Sequence, residues 1–133
     1  MIPKFRVAYK NKILGEVGAI DFIDETVEIP VYDSETGEYL VSYELGLNQV
    51  TLMQSTGKMD STGKVEVFVG DILYYPDQDE VNYGIIEFDE DKLAFVLDNG
   101  YEKFIYGDYG MDKVVGNIYQ NKDLADYILG GNQ

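Results

Sequence analysis

The chain has 133 residues, 45% of them hydrophobic and 14% aromatic, which is enough to bury a core without disulfides and too apolar for a disordered chain. Twenty-five acidic residues against ten basic ones leave a net charge of −15, which opposes binding to nucleic-acid phosphates and to anionic membrane surfaces. There is no cysteine and no histidine, so thiolate metal sites, disulfides and the commonest general base are all excluded.

Taken in chain order, residues 2–9 read as a strand and Asn11-Lys12 as a turn. Residues 15–33 are rich in β-branched side chains and read as short strands, with Pro30 at a strand edge or a bulge. Asp33-Ser34-Glu35-Thr36-Gly37 reads as a turn before a strand at 39–44, and Asp60-Ser61-Thr62-Gly63 as a second turn before a strand at 64–69. Both combine a short polar side chain that bonds its own backbone with a glycine for positive φ. The stretch 45–54 fits either a helical turn or a strand.

In the second half a strand is expected at 71–75, ended by Pro76, followed by a polar loop at 77–82 and a strand at 84–89. Glu90-Asp91 turns into a strand at 92–97, and Asn99-Gly100 signals a tight hairpin of the mirror-image type. Strands at 101–106 and 114–119, with a loop at 107–111 between them, complete a five-stranded set. A short helix over 122–129, capped by Asn121, is expected to carry an apolar stripe of Leu124, Ile128 and Leu129 and to end at Gly130-Gly131.

The expected fold class is therefore mainly β, or α+β by strict count. A small bent sheet or partial Src-homology-3-like barrel fills the C-terminal half, with additional strands in the N-terminal half and a short C-terminal helix. The expected division is an N-terminal β-rich subdomain at 1–49 and a core at 50–133, with one compact domain as the alternative.

One ordered string stands out: Thr56-Gly57, Asp60, Gly63-Lys64, Gly70-Asp71-Ile72, then Gly116-Asn117-Ile118-Tyr119. With the opening Pro3-Lys4-Phe5-Arg6-Val7 and the stretch Val50–Gly57, it resembles the YopX family, small proteins encoded mainly by phages and prophages of Gram-positive bacteria. Ser55, where an aromatic is usual, and Lys58, where an apolar residue is usual, depart from the pattern. The resemblance implies a fold and a phage context, with no biochemical activity to carry over.

No catalytic, cofactor-binding or metal-binding residue is assigned. Counted from Asp77, the acidic loop 77–80 lacks the glycine and glutamate a calcium loop needs, and Asp89-Glu90-Asp91 reads as a hairpin tip. Nucleotide loops are absent as well.

Tyr74, Tyr75, Tyr83, Tyr101 and Tyr106, among twelve tyrosines, are the candidate interaction surface. The charge is also uneven. Lys4, Arg6, Lys10 and Lys12 cluster at the start, whereas no basic residue lies between Ile13 and Gly57 or from Glu66 to Asp91. The expected function is a cytoplasmic, non-enzymatic phage or prophage accessory protein. It would bind a host or phage protein and form a homo-oligomer, without contacting nucleic acid or membrane directly. Two alternatives stand beside it: an acidic DNA mimic that blocks a host nucleic-acid-binding protein, and a metal-dependent enzyme using carboxylates alone.

Overall fold

Antiparallel pairing accounts for nearly all of the regular structure in the computed structural model, which describes residues 3–77, 80–107 and 112–130. The chain divides into two compact units, Met1–Gln54 and Ser55–Gln133.

In the first unit, β1 (Phe5–Tyr9) pairs with β2 (Lys12–Glu16) on one side and with the Thr51–Gln54 part of β6 (Thr51–Met59) on the other. Lys10 and Asn11 both have positive φ, which is the mirror-image hairpin geometry, so the turn lies one residue earlier than expected. A second sheet has the order β3-β4-β5, from β3 (Ala19–Asp21), β4 (Thr26–Tyr32) and β5 (Tyr39–Gly46). Val27 and Ile29 of β4 are buried while Glu28 between them is exposed, the period-two pattern of a one-sided strand. With Val7 they form the core of this unit, packed by Tyr9, Val17, Ile20, Leu45, Leu47, Val50 and Leu52.

Pro30 sits within β4. The Glu28 carbonyl accepts the Gly18 N–H, so Pro30, two residues on, turns its ring nitrogen to the edge that β3 no longer covers, where no donor is needed. The ambiguous stretch 45–54 is of both kinds: β5 ends at Gly46, a 3-10 turn spans Leu47–Gln49, and β6 begins at Thr51.

In the second unit, the rest of β6 pairs with β7 (Glu66–Phe68). A five-stranded sheet of order β11-β10-β9-β8-β12 then curls into a half-barrel. Its strands are β8 (Asp71–Asp77), β9 (Glu80–Asp89), β10 (Ala94–Asp98), β11 (Lys103–Ile105) and β12 (Lys113–Asn117). Val67, Leu73, Tyr75, Ile86, Leu97 and Tyr106 pack as one core cluster. A separate cluster joins Ile72 and Ile85 to Ala125 and Ile128 of α1 (Lys122–Leu129). Burying Ile128 alone contributes about 2 kcal/mol. The mainly β class, the bent sheet and the short C-terminal helix are thus as the sequence predicts.

Several local expectations are corrected. Pro76 does not end β8, which continues to Asp77 with Pro76 opposite Val81. The Gly70 carbonyl accepts from Ile118, so Pro76, six residues on, faces the same edge, beyond the last β12 partner at Tyr74. The polar stretch 77–82 is strand at both ends, and residues 78–79 lie outside the described residues.

Asn99-Gly100 does not make a two-residue hairpin, because Asp98 pairs with Lys103 across a wider loop. There the Asn99 Oδ1 accepts the N–H groups of Tyr101 and Glu102, both at 2.9 Å, replacing backbone acceptors. The Asn121 side chain does not cap α1; its Oδ1 accepts from the Asn117 N–H at 3.1 Å instead. Leu129 is exposed, and Ala125 takes its place in the buried stripe beside Ile128 and Leu124. Of the loop expected at 107–111, residues 108–111 lie outside the described residues.

Candidate functional site

The ordered string of Thr, Gly, Asp and Asn residues folds into two polar tethers in the second unit. The first is the turn that joins β6 to β7. Thr56 Oγ1 donates to the Val67 carbonyl at 2.8 Å, and Gly57 follows at φ 78°. Asp60 is only 5% exposed, yet its carboxylate is fully engaged. Oδ1 accepts from the N–H and hydroxyl of Thr62, and Oδ2 accepts from the Val114 N–H at 3.2 Å. Gly63, at φ 73°, closes the turn by donating to the Asp60 carbonyl. Ser61 donates through both its N–H and its hydroxyl to the Asp112 carbonyl. The turn is thereby tied to the start of β12. Lys64 is exposed beside it and its N–H donates to Thr62 Oγ1.

Burial pushes the Asp60 carboxyl up, but the bonds from the Thr62 hydroxyl, the Val114 N–H and the Thr62 N–H outweigh it and hold its pKa below the ordinary value.

The second tether lies between β7, β8 and the entry to α1. Asp71, 1% exposed, accepts the Phe68 N–H at 2.8 Å, and the Gly70 N–H donates to Ile86. Ile72 and Ile118 pack beside α1. Asn117 Oδ1 accepts from the N–H groups of Tyr119 and Gln120, while its Nδ2 donates to Gln120 Oε1. A Cβ on Gly116 would lie 2.3 Å from Asn121 Oδ1, so only glycine leaves that amide room to reach Asn117.

A pocket of about 440 Å³ opens beside the first tether, lined by Lys58, Met59, Asp60, Ser61, Gly63, Tyr106 and Gly107. Its buried carboxylate, Asp60, already accepts three donors, two from Thr62 and one from Val114, which suits a structural role.

The five candidate tyrosines do not form one surface. Tyr75 and Tyr106 are buried in the core, Tyr75 edge-on to Phe104 at 6.0 Å, and so are corrected from surface to core. Tyr74 and Tyr83 are half-buried and stack edge-on at 5.9 Å across β8 and β9. Tyr101 is exposed on the Asn99–Glu102 loop.

The exposed aromatic band lies instead on the first unit, at the β4–β5 hairpin. Val41 faces Val31, Tyr43 faces Ile29 and Tyr39 faces Tyr32 across the ladder. Ile29 is buried, but Tyr32, Tyr39, Val41 and Tyr43 run out beyond the core, and Tyr43 is 59% exposed. Tyr32 and Tyr39 meet edge-on at 6.1 Å. Leu40, at the bulge of this ladder, is also exposed, and the Tyr39 hydroxyl bonds Ser42 Oγ at 3.0 Å on the face opposite Tyr43. Residues 39–43 are apolar on both faces, which from sequence reads like a strand buried on both sides; the twelve tyrosines gave no hint of which ones would lack a covering layer.

The model of the YopX protein family matches residues 4–126. The chain belongs to the YopX family. No curated protein matches it in sequence.

Several other titratable groups of this YopX-family chain are used in turns. Asp21 and Asp33 each accept two backbone N–H groups, and in both these bonds hold the carboxyl below its ordinary pKa. Asp89 accepts from Asp91 and Lys92, which makes the acidic cluster 89–91 a hairpin turn. Glu87 of β9 lies 3.3 Å from the Lys103 ammonium. Burial, then the neighbouring Asp98 carboxylate, push the Glu87 carboxyl up, and the bond to Glu87 raises the Lys103 ammonium. Among the described residues no group of three or more acids is placed to hold a metal ion, and no helix is long and apolar enough to cross a membrane.

Proposed function

We propose that this YopX-family chain is a non-enzymatic interaction module of phage or prophage origin, working in the bacterial cytoplasm through the face of its β4–β5 hairpin. One observation carries the reading: Tyr32, Tyr39, Leu40, Val41 and Tyr43 are all exposed at one hairpin, Val41 and Tyr43 on one face and Tyr39, bonded to Ser42, on the other, with no layer over them among the described residues. Tyrosines so exposed supply large contact area at little conformational cost. The phage origin follows from the family resemblance alone. The engagement of Asp21, Asp33, Asp60, Asp71 and Asp89 by backbone donors supports a structural role for many of the acids. That weighs against both DNA mimicry and carboxylate catalysis.

The test is retention of a discrete partner from host lysate by the tagged protein. The double substitution Tyr39→Ser and Tyr43→Ser is expected to leave the melting temperature within a few degrees, because both side chains are exposed. It is expected to weaken partner binding at least tenfold, as loss of aromatic interface anchors does. Undiminished retention by the variant would sink the assignment of this face. A catalytic activity abolished by replacing one acid would sink the non-enzymatic reading itself.

A further inference from the structure

We propose that the free edge of β5 accepts a basic, extended segment of a partner protein as an additional antiparallel or parallel strand. This deepens the interaction-module reading and rests on it.

The backbone fixes which groups are available. The Leu47 N–H donates to the Glu25 carbonyl at 2.8 Å, and the register continues as Val27–Leu45, Ile29–Tyr43 and Val31–Val41. Val41, Tyr43 and Leu45 of β5 therefore turn their N–H and C=O groups towards β4. Ser42 and Glu44 turn theirs the other way, short of the bulge at Leu40, and β5 is the outermost strand of its sheet. Edge strands are commonly blunted by proline, lysine or shortness. β5 has eight residues, no proline and no basic side chain. Its edge is in the condition that strand addition exploits.

Charge selects the occupant. Glu28 and Glu44 lie directly opposite each other across the ladder. Both are exposed, and neither forms an ion pair with a described residue. Since Glu28 and Glu44 direct their backbone groups away from one another, theirs is the non-hydrogen-bonded kind of pair, whose side chains come closest. Like charges so placed are destabilising. No basic residue occurs from Ile13 to Gly57 to relieve them. A strand laid along β5 with Lys or Arg on the Glu28–Glu44 face supplies the missing cations. Its alternate residues, apolar or aromatic, pack beside Val41 and Tyr43. A second copy of this chain is the poorer occupant, because it brings another base-free acidic stretch to the same edge.

The probe is a short blocked peptide in which lysine alternates with valine, added to the full chain and read by amide hydrogen exchange. At free peptide about ten times its Kd, the amides of Ser42 and Glu44 are expected to slow about tenfold. Those of Val41 and Tyr43, already bonded to β4, should change much less. The same peptide N-methylated along one edge, and a version with glutamate for lysine, are expected to have no effect. Unchanged exchange at Ser42 and Glu44, or equal slowing by the N-methylated peptide, would overturn the proposal. Slowing of the same amides as the protein's own concentration rises, without peptide, would assign the edge to a second copy and overturn it too.

Ser42→Pro offers an independent variant, since its N–H lies outside the β4–β5 ladder and only the exposed contact with the Tyr39 hydroxyl is lost. It is expected to abolish peptide binding while the rest of the exchange pattern persists. If Tyr39→Ser with Tyr43→Ser releases the lysate partner and Ser42→Pro does not, the partner packs on the face without adding a strand. The interaction-module reading then stands and this inference fails.

Discussion

Leu97→Ala is expected to destabilise the second unit by about 3 kcal/mol, read as a shift in the urea midpoint at unchanged slope. Leu97 is fully buried and belongs to the cluster of Val67, Leu73, Ile86 and Tyr106. Its side chain lies over Gly84 of β9, where a Cβ would come within 2.6 Å of Leu97 Cγ and 2.7 Å of Cδ1. Because Leu97 is enclosed, it has nowhere to retreat, and Gly84→Ala alone is expected to cost about 2 kcal/mol by overpacking. In the double variant the new methyl enters the space the leucine vacates. The combined cost should be about 3 kcal/mol, well short of the sum, and the difference is the coupling energy of the pair. Strict additivity would mean that the glycine and the leucine do not share that space.

The second large effect is at Asp60. Asp60→Ala strands the Val114 N–H and both donors of Thr62 at a nearly inaccessible position, and is expected to cost about 3 kcal/mol at neutral pH. The effect depends on pH with a definite sign. The folded state holds the Asp60 pKa below its ordinary value, so the carboxylate's contribution is present above that value and is lost as pH falls through the lower, folded one. Asp21 and Asp33 act in the same direction, whereas Glu87, raised in the folded state, favours folding at low pH and less so as pH rises through its range. The stability gap between wild type and Asp60→Ala should therefore narrow on acidification. A gap that stays constant down to low pH would show that the ionised carboxylate is not what the turn requires.

The legibility of this chain in its sequence varied with how local each cause is. The turns at Asp33–Gly37 and Asp60–Gly63 were readable because the acceptor, the donors and the glycine all lie within five residues. The bounds of α1 were readable for the same reason, but the choice between Ala125 and Leu129 depends on where Ile72 and Ile85 approach. Pro30 and Pro76 could not be placed by propensity alone, since each is tolerated only because a neighbouring strand has ended on its nitrogen side. The motif residues were visible as a string, while their purpose as tethers was not. Asp60 and Val114 are 54 positions apart, and no periodicity reports a bond of that span. Burial of individual tyrosines was equally hidden. Tyr75 and Tyr43 occupy similar strand contexts and differ only in whether a second layer covers them.

The order of the five-stranded sheet has a kinetic meaning. β8, β9, β10 and β11 pair in the order in which they occur in the chain, so each step closes only a short loop. β12 must return past that whole meander to reach β8, and the Asp60–Val114 and Ser61–Asp112 bonds close with it. The entropy of that closure places the β12 strand and the Asp60 turn after the meander in the sequence of events. Substitution at Asp60 should then accelerate unfolding and leave the folding limb of the chevron almost unmoved, whereas substitution at Leu97 should slow folding. The Asp60 turn and β12, which carry part of the string shared with the YopX family, would be a latch closed last and released first.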